Sequence, residues 1–189
     1  MNRRNPPKAV ILDIAAIAGH GGDMNSFRRV AVAWAFGVVV LAPAASGAGT
    51  RTVVMADAVV VDKSERELRL LRGGAVIATF PVGLGSDPQG DKIRQGDGRT
   101  PEGDYVLDWR NPQSRFHLSI HISYPNDADR ALAAARGVSP GGGIFIHGTP
   151  WLDNVAGFDW TNGCIAVTNA DMDAIWAMVP DGAPITIQP

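Results

Sequence analysis

From residue 58 onward, apolar and polar positions alternate in short runs punctuated by glycine, proline and acidic residues. Ala58 to Asp62 is β-branched, Glu67 to Arg72 partly alternates, and Ala75 to Val82 follows the Gly73-Gly74 pair. The spacing predicts three strands, with a tight primed turn joining the second to the third. Residues 83 to 103 (GLGSDPQGDKIRQGDGRTPEG) break the alternation as a long, polar, glycine-rich loop, and loops of that length are commonly functional. Strands resume at Asp104 to Trp109 and at Arg115 to Tyr124. The second of these places Phe116, Leu118, Ile120, Ile122 and Tyr124 on one face and His117, Ser119, His121 and Ser123 on the other.

The period then changes. Asn126 to Arg136 reads as a short helix with Asn126 as N-cap, ended by Gly137 and then Pro140. A strand follows at Gly143 to His147, and residues 165 to 168 form another that enters a helix at Asn169. Met172, Ile175, Trp176 and Val179 repeat at helical spacing as a core stripe, Pro180-Asp181-Gly182 stops the helix, and residues 183 to 187 alternate as a final strand. The expected fold class is a β-rich α+β domain of about seven strands and two helices.

The N-terminal pattern is of another kind. Residues 24 to 49 combine Arg28 and Arg29, an unbroken apolar stretch from Val30 to Leu41, and a Pro43 break into small residues, the arrangement of a secretory signal. That stretch rises about 18 Å as a helix, short of the ~30 Å hydrocarbon core, so cleavage is preferred over an uncleaved membrane anchor. We read residues 1–47 as a leader, with the signal peptide at 24–47 and translation starting at Met24, and residues 57–189 as the working domain.

Charge follows this division. The whole chain is −2, but the leader holds five basic and two acidic residues, leaving 12 Lys and Arg against 17 Asp and Glu, about −5. With no basic stripe, nucleic acid is excluded as a partner. Hydrophobic residues at 46% and charged residues at 19% exclude a disordered segment. The single cysteine, Cys164, excludes an intrachain disulfide, a Cys-rich zinc site and an N-terminal lipid anchor.

An exported protein that keeps one free thiol invites the question of its use. His147 ends a strand and is followed by Gly148, and seventeen residues after His147 comes Cys164 in Thr161-Asn162-Gly163-Cys164-Ile165. A thiol attacks as thiolate and an imidazole can take its proton, so this pair is the minimum for acyl transfer. Glycine before the nucleophile permits a tight turn whose N–H groups could face an oxyanion. The other readings are a buried, inert Cys164, solvent-facing His117 and His121, or a three-histidine zinc site that lacks a well-placed carboxylate.

His147-Gly148 and Thr161-Asn162-Gly163-Cys164, preceded by Thr100-Pro101-Glu102-Gly103 and Tyr105, resemble the L,D-transpeptidase family with the YkuD-type catalytic domain over roughly residues 57 to 189. The stretches DWRNPQSRFHLSIHISYPN and DWTNGCIAVTN resemble the branch that includes an enzyme acting on the lipoprotein-to-peptidoglycan link. The resemblance implies a β-sandwich with about two short flanking helices. It implies Cys164 as nucleophile, His147 as base, the Gly148 carbonyl orienting the imidazole, and the Gly163 and Cys164 amides in the oxyanion region. Two positions depart from the family. Asn162 stands where most members carry a second histidine, and Ala166 stands where they carry Arg or Asn. Asn162 cannot titrate, so His121 is expected to take up part of that role, with Thr161, Asn162 and His121 meeting substrate.

The reaction so implied is acyl transfer on peptidoglycan stem peptides through a thioester, by a monomer needing no metal or organic cofactor, in the periplasm or at the cell wall. A wall-anchored lipoprotein is a further expected partner. Hydrolysis at the same site and a non-catalytic wall-binding module are the alternatives. Papain-like enzymes are excluded because their cysteine precedes the histidine, and sortases because their Thr-Leu-x-Thr-Cys signature is absent.

Overall fold

The computed structural model describes residues 53–149, 155 and 158–189. The expected leader lies outside the described residues. The chain begins with β1 (Ala58–Asp62), β2 (Glu67–Arg72) and β3 (Ala75–Pro81), an antiparallel meander. Gly73 and Gly74 turn β2 into β3 at φ of 56° and 79°, the left-handed pair that a primed turn requires and that glycine adopts without steric cost. Then come β4 (Gly103–Asn111), β5 (Ser119–Ile122), α1 (Asp127–Ala135), β6 (Phe145–His147), β7 (Ile165–Ala166), α2 (Asn169–Met178) and β8 (Ala183–Gln188).

All eight strands join one sheet in the order β3-β2-β1-β8-β4-β5-β6-β7. Its two ends meet. Gly83, just past β3, exchanges N–H···O bonds of 2.9 and 2.8 Å with Ala166 of β7, so the sheet curls onto itself as a sandwich-like layer. The interior holds Leu68, Leu70, Leu107, Ile120, Ile122, Ile146, Ile165, Ile185 and Ile187, with Met172 and Ile175 of α2 packed into the same core. Both helices start on side-chain caps. Asn126 Oδ1 accepts from the Asp129 amide at 3.1 Å, and the Asp129 carboxylate in turn accepts from the Asn126 amide at 2.8 Å; Thr168 Oγ1 accepts from the Asp171 amide. The β-rich α+β class and the two flanking helices are as the residue pattern predicts.

Local differences have local causes. The strand expected over 115–124 starts only at Ser119. His117 sits at φ 71°, which ends extended geometry and removes His117 from the face that carries His121. Its ring instead meets Asp173 of α2 at 2.6 Å. β4 is bulged between Leu107 and Arg110, re-aiming Asp108 and Trp109. β6 and β7 are shorter than the apolar runs suggest, since Gly143 bends the chain at φ 68° and Thr168 is taken up as a helix cap.

Candidate active site at the closing edge of the sheet

The site residues converge because β5, β6 and β7 lie side by side. Ser119 pairs with His147, His121 with Phe145, and His147 in turn with Ala166 of the parallel strand β7. Ile120, Ile146 and Ile165 form the alternate row and are buried in the core. Side-chain alternation therefore puts His147, Phe145 and Cys164 on one face. Cys164 lies level with Phe145, one strand over and two residues along from His147. A parallel strand pair thus brings together two residues that are far apart in sequence.

The His147 ring is buried, with the residue 4% exposed. It stacks on Phe116 at a centroid distance of 4.7 Å and meets Trp160 edge-on at 5.7 Å. Its Nδ1 lies 2.7 Å from the Gly148 carbonyl. A carbonyl only accepts, so Nδ1 carries the proton and Nε2 of the neutral ring is left as the base. Burial pushes the imidazole below its ordinary pKa, only partly opposed by the Gly148 bond. A Cβ at Gly148 would lie 2.5 Å from Asn169 Oδ1 and 3.0 Å from the Phe116 carbonyl, so a side chain there would need both to shift.

Cys164 is partly buried and its thiol points to the Gly143 carbonyl at 3.7 Å. Burial pushes the thiol pKa up; the Phe145 amide and the Lys92 charge pull the other way. Both shifts favour the neutral forms, a thiol and an imidazole, over an ion pair. The turn before it is tightly built. Thr161 Oγ1 donates to the Cys164 carbonyl at 2.7 Å and accepts from the Gly163 amide at 3.1 Å. Thr161 is therefore turned inward, and the Gly163 amide is already engaged. The Cys164 amide has no acceptor among the described residues. Gly163 runs at φ 119°, and a Cβ there would lie 2.5 Å from the Arg99 carbonyl.

The remaining expected residues lie farther out. Asn162 is exposed at the rim. His121 is two strands from Cys164, with Phe145 between them at 5.0 Å centroid distance from its ring. It stacks on Trp109 at 5.0 Å, and its Nδ1 lies 2.7 Å from Asp108. Sequence reasoning did not find Phe116, Trp160 or the buried Lys92 as neighbours of this site. Phe116 read as a core strand position, and only the positive φ at His117 reveals that the segment turns toward His147. No group of three or more metal-ligating side chains occurs among the described residues.

Residues 56–187 match the family profile of the L,D-transpeptidase catalytic domain. YafK of Escherichia coli K12, named as a candidate L,D-transpeptidase, is 40% identical over 103 residues, which cover 53% of this chain and 35% of that protein. The helical cell shape determining protein Pgp2 of Campylobacter jejuni superposes with a TM-score of 0.55 and 29% identity, over 68% of this chain and 46% of its own. Bd1075 of Bdellovibrio bacteriovorus gives 0.50 and 26%, over 72% and 49%. This chain therefore spans about a third to a half of the length of these relatives. The profile match and the shared fold together place this chain in the L,D-transpeptidase (YkuD) catalytic-domain family.

Proposed function

We propose that this chain is an exported, cysteine-dependent L,D-transpeptidase of peptidoglycan stem peptides, with Cys164 as nucleophile and His147 as general base. The observation that carries the reading is the tautomer of His147: its Nδ1–H is committed to the Gly148 carbonyl, leaving Nε2 as a base on the face that holds the lone thiol. The thiol gives its proton to Nε2 as sulfur attacks the carbonyl of the L-centre of the diamino acid at stem position three. The Cys164 amide faces the oxyanion. Collapse breaks the peptide bond, the departing D-alanine amine takes the proton from His147, and a thioester remains. An amine from a second stem, or from a wall-anchored protein, then attacks the thioester while His147 accepts its proton; collapse breaks the C–S bond, and the departing Cys164 thiolate takes that proton back from His147.

Water in place of that amine makes the same site a hydrolase. The likeness of DWTNGCIAVTN to the branch that processes the lipoprotein link favours this second reading for the acceptor step. Pgp2 is named as a determinant of helical cell shape, and remodelling of wall peptides is the chemistry through which an enzyme of this fold would act on shape.

Intact-mass measurement after incubation with a carbapenem, whose strained β-lactam acylates a reactive thiol, tests the nucleophile. One adduct on the wild-type chain and none on Cys164→Ala or His147→Ala is expected; an equal adduct on Cys164→Ala would overturn the assignment. Digestion of treated sacculi separates the two outcomes, new stem dimers marking transfer and lost crosslinks or freed lipoprotein marking hydrolysis.

A further inference from the structure

A cavity of about 300 Å³ opens between the 87–99 loop and the end of α1, lined by Arg94, Arg99 and Arg136 with Asp87, Asp97 and Val138. Its charges do not cancel. Asp97 is held by the buried Lys92 at 2.7 Å and by the amides of Ile93, Arg94 and Arg99. Although burial alone would raise Asp97, these donors bring its pKa down to about 2. Asp87 is paired with Arg99 at 3.1 Å. The guanidiniums of Arg94 and Arg136 have no carboxylate partner among the described residues, although the chain beyond residue 47 carries 17 acidic and 12 basic side chains. An unneutralised cationic cavity in an acidic domain is suited to an anionic ligand.

Its position relates it to the thiol. The two walls are tied by the Gln95 amide bonding the Ser139 carbonyl at 2.8 Å. One wall reaches Cys164 through Arg99, whose carbonyl abuts Gly163; the other reaches it through Gly143, whose carbonyl accepts from the thiol. The same two segments thus frame both the cavity and the nucleophile. We infer that Arg94 and Arg136 form a subsite for a free carboxylate of the stem peptide, an inference that rests on the stem-peptide reading above. Guanidinium forks bind carboxylates in a bidentate manner that also fixes orientation. The carboxylate that terminates the leaving residue flanks the scissile bond, as does the one at the far end of the diamino acid where that residue is a dicarboxylic one.

Calorimetric titration of a stem tetrapeptide into the full chain bearing Cys164→Ala reads binding without turnover. Adding Arg94→Gln or Arg136→Gln is expected to weaken Kd by about tenfold each, with the unfolding midpoint unchanged. Two further peptides, one amidated at the C-terminus and one amidated at the diamino acid, identify the carboxylate: the correct amide binds weakly to the parent and no more weakly to the double arginine variant. Equal binding of the unmodified peptide to all variants overturns the subsite, as does no binding to the parent, or an arginine effect that survives both amidations. Failure of the underlying reading is scored separately, as absence of D-alanine release and of a thioester in the wild-type chain.

Discussion

His147 and Cys164 are shifted in opposite directions by the same cause. Burial disfavours the charged form of each, so the imidazole falls below 6.5 and the thiol rises above 9. Both directions disfavour a resting thiolate, so in the proposed mechanism the proton moves as the substrate carbonyl is attacked. Alkylation of Cys164 by iodoacetamide, a neutral reagent that needs free thiolate, is therefore expected to be slow at neutral pH and to climb only above pH 9. Thioester formation, which in the proposed mechanism needs neutral His147, should retain its rate as pH falls through 6.5 and drop only at lower pH. Fast labelling that stays flat from about pH 5 to 8 would indicate a preformed thiolate–imidazolium pair instead. At this scale the sequence singled out the proposed pair, His147 and Cys164, because a single thiol and a His-Gly strand end leave few candidates. The aromatic walls around His147 were not legible, since Phe116 reaches the ring only through a left-handed residue that no hydrophobic pattern encodes.

Among the elements, the 83–103 loop frames the site without forming regular structure. Its anchor comes from the end of the first strand. Lys63, 2% exposed, donates to the Gly90 and Thr100 carbonyls at 2.7 and 3.0 Å and pairs with Glu102 at 2.7 Å. Thr100 Oγ1 in turn accepts from the Gly85 amide at 3.0 Å. Replacing Lys63 by Met leaves the largely buried Glu102 carboxylate without its cation, a change expected to cost about 3 kcal/mol. The check is a lower urea midpoint. Because Arg99 backs Gly163, carbapenem acylation should slow in the same variant. Unchanged acylation in a destabilised Lys63→Met protein would show that the loop does not position the nucleophile. The loop's length and glycine content announced a functional segment, whereas its clamp was hidden because Lys63 lies 27 to 39 residues from its partners.

For the whole molecule, closure of the sheet decides whether β7, only two residues long, holds the cysteine turn in place. Gly83 makes that closure, and a Cβ there would lie 2.4 Å from the Phe158 carbonyl. Gly83→Ala is therefore expected to destabilise the fold by about 1–3 kcal/mol and to speed amide exchange at Ala166, whose N–H bonds the Gly83 carbonyl. Exchange unaltered at Ala166 would mean that β7 is held by β6 alone. The strand alternation, the Asn126 cap and the order of His147 before Cys164 were determined by the sequence itself, because each depends on local periodicity or on chemistry within a few residues. Tertiary structure alone decided the rest. The parallel pairing of β6 with β7 aligns His147 and Cys164, the positive φ at His117 brings Phe116 onto His147, and β3 meeting β7 closes the layer. The cavity framed by Arg94 and Arg136 depends on a loop and a helix end that meet only in the folded chain. All of these join residues distant in sequence through backbone hydrogen bonds and close packing, which no local pattern specifies.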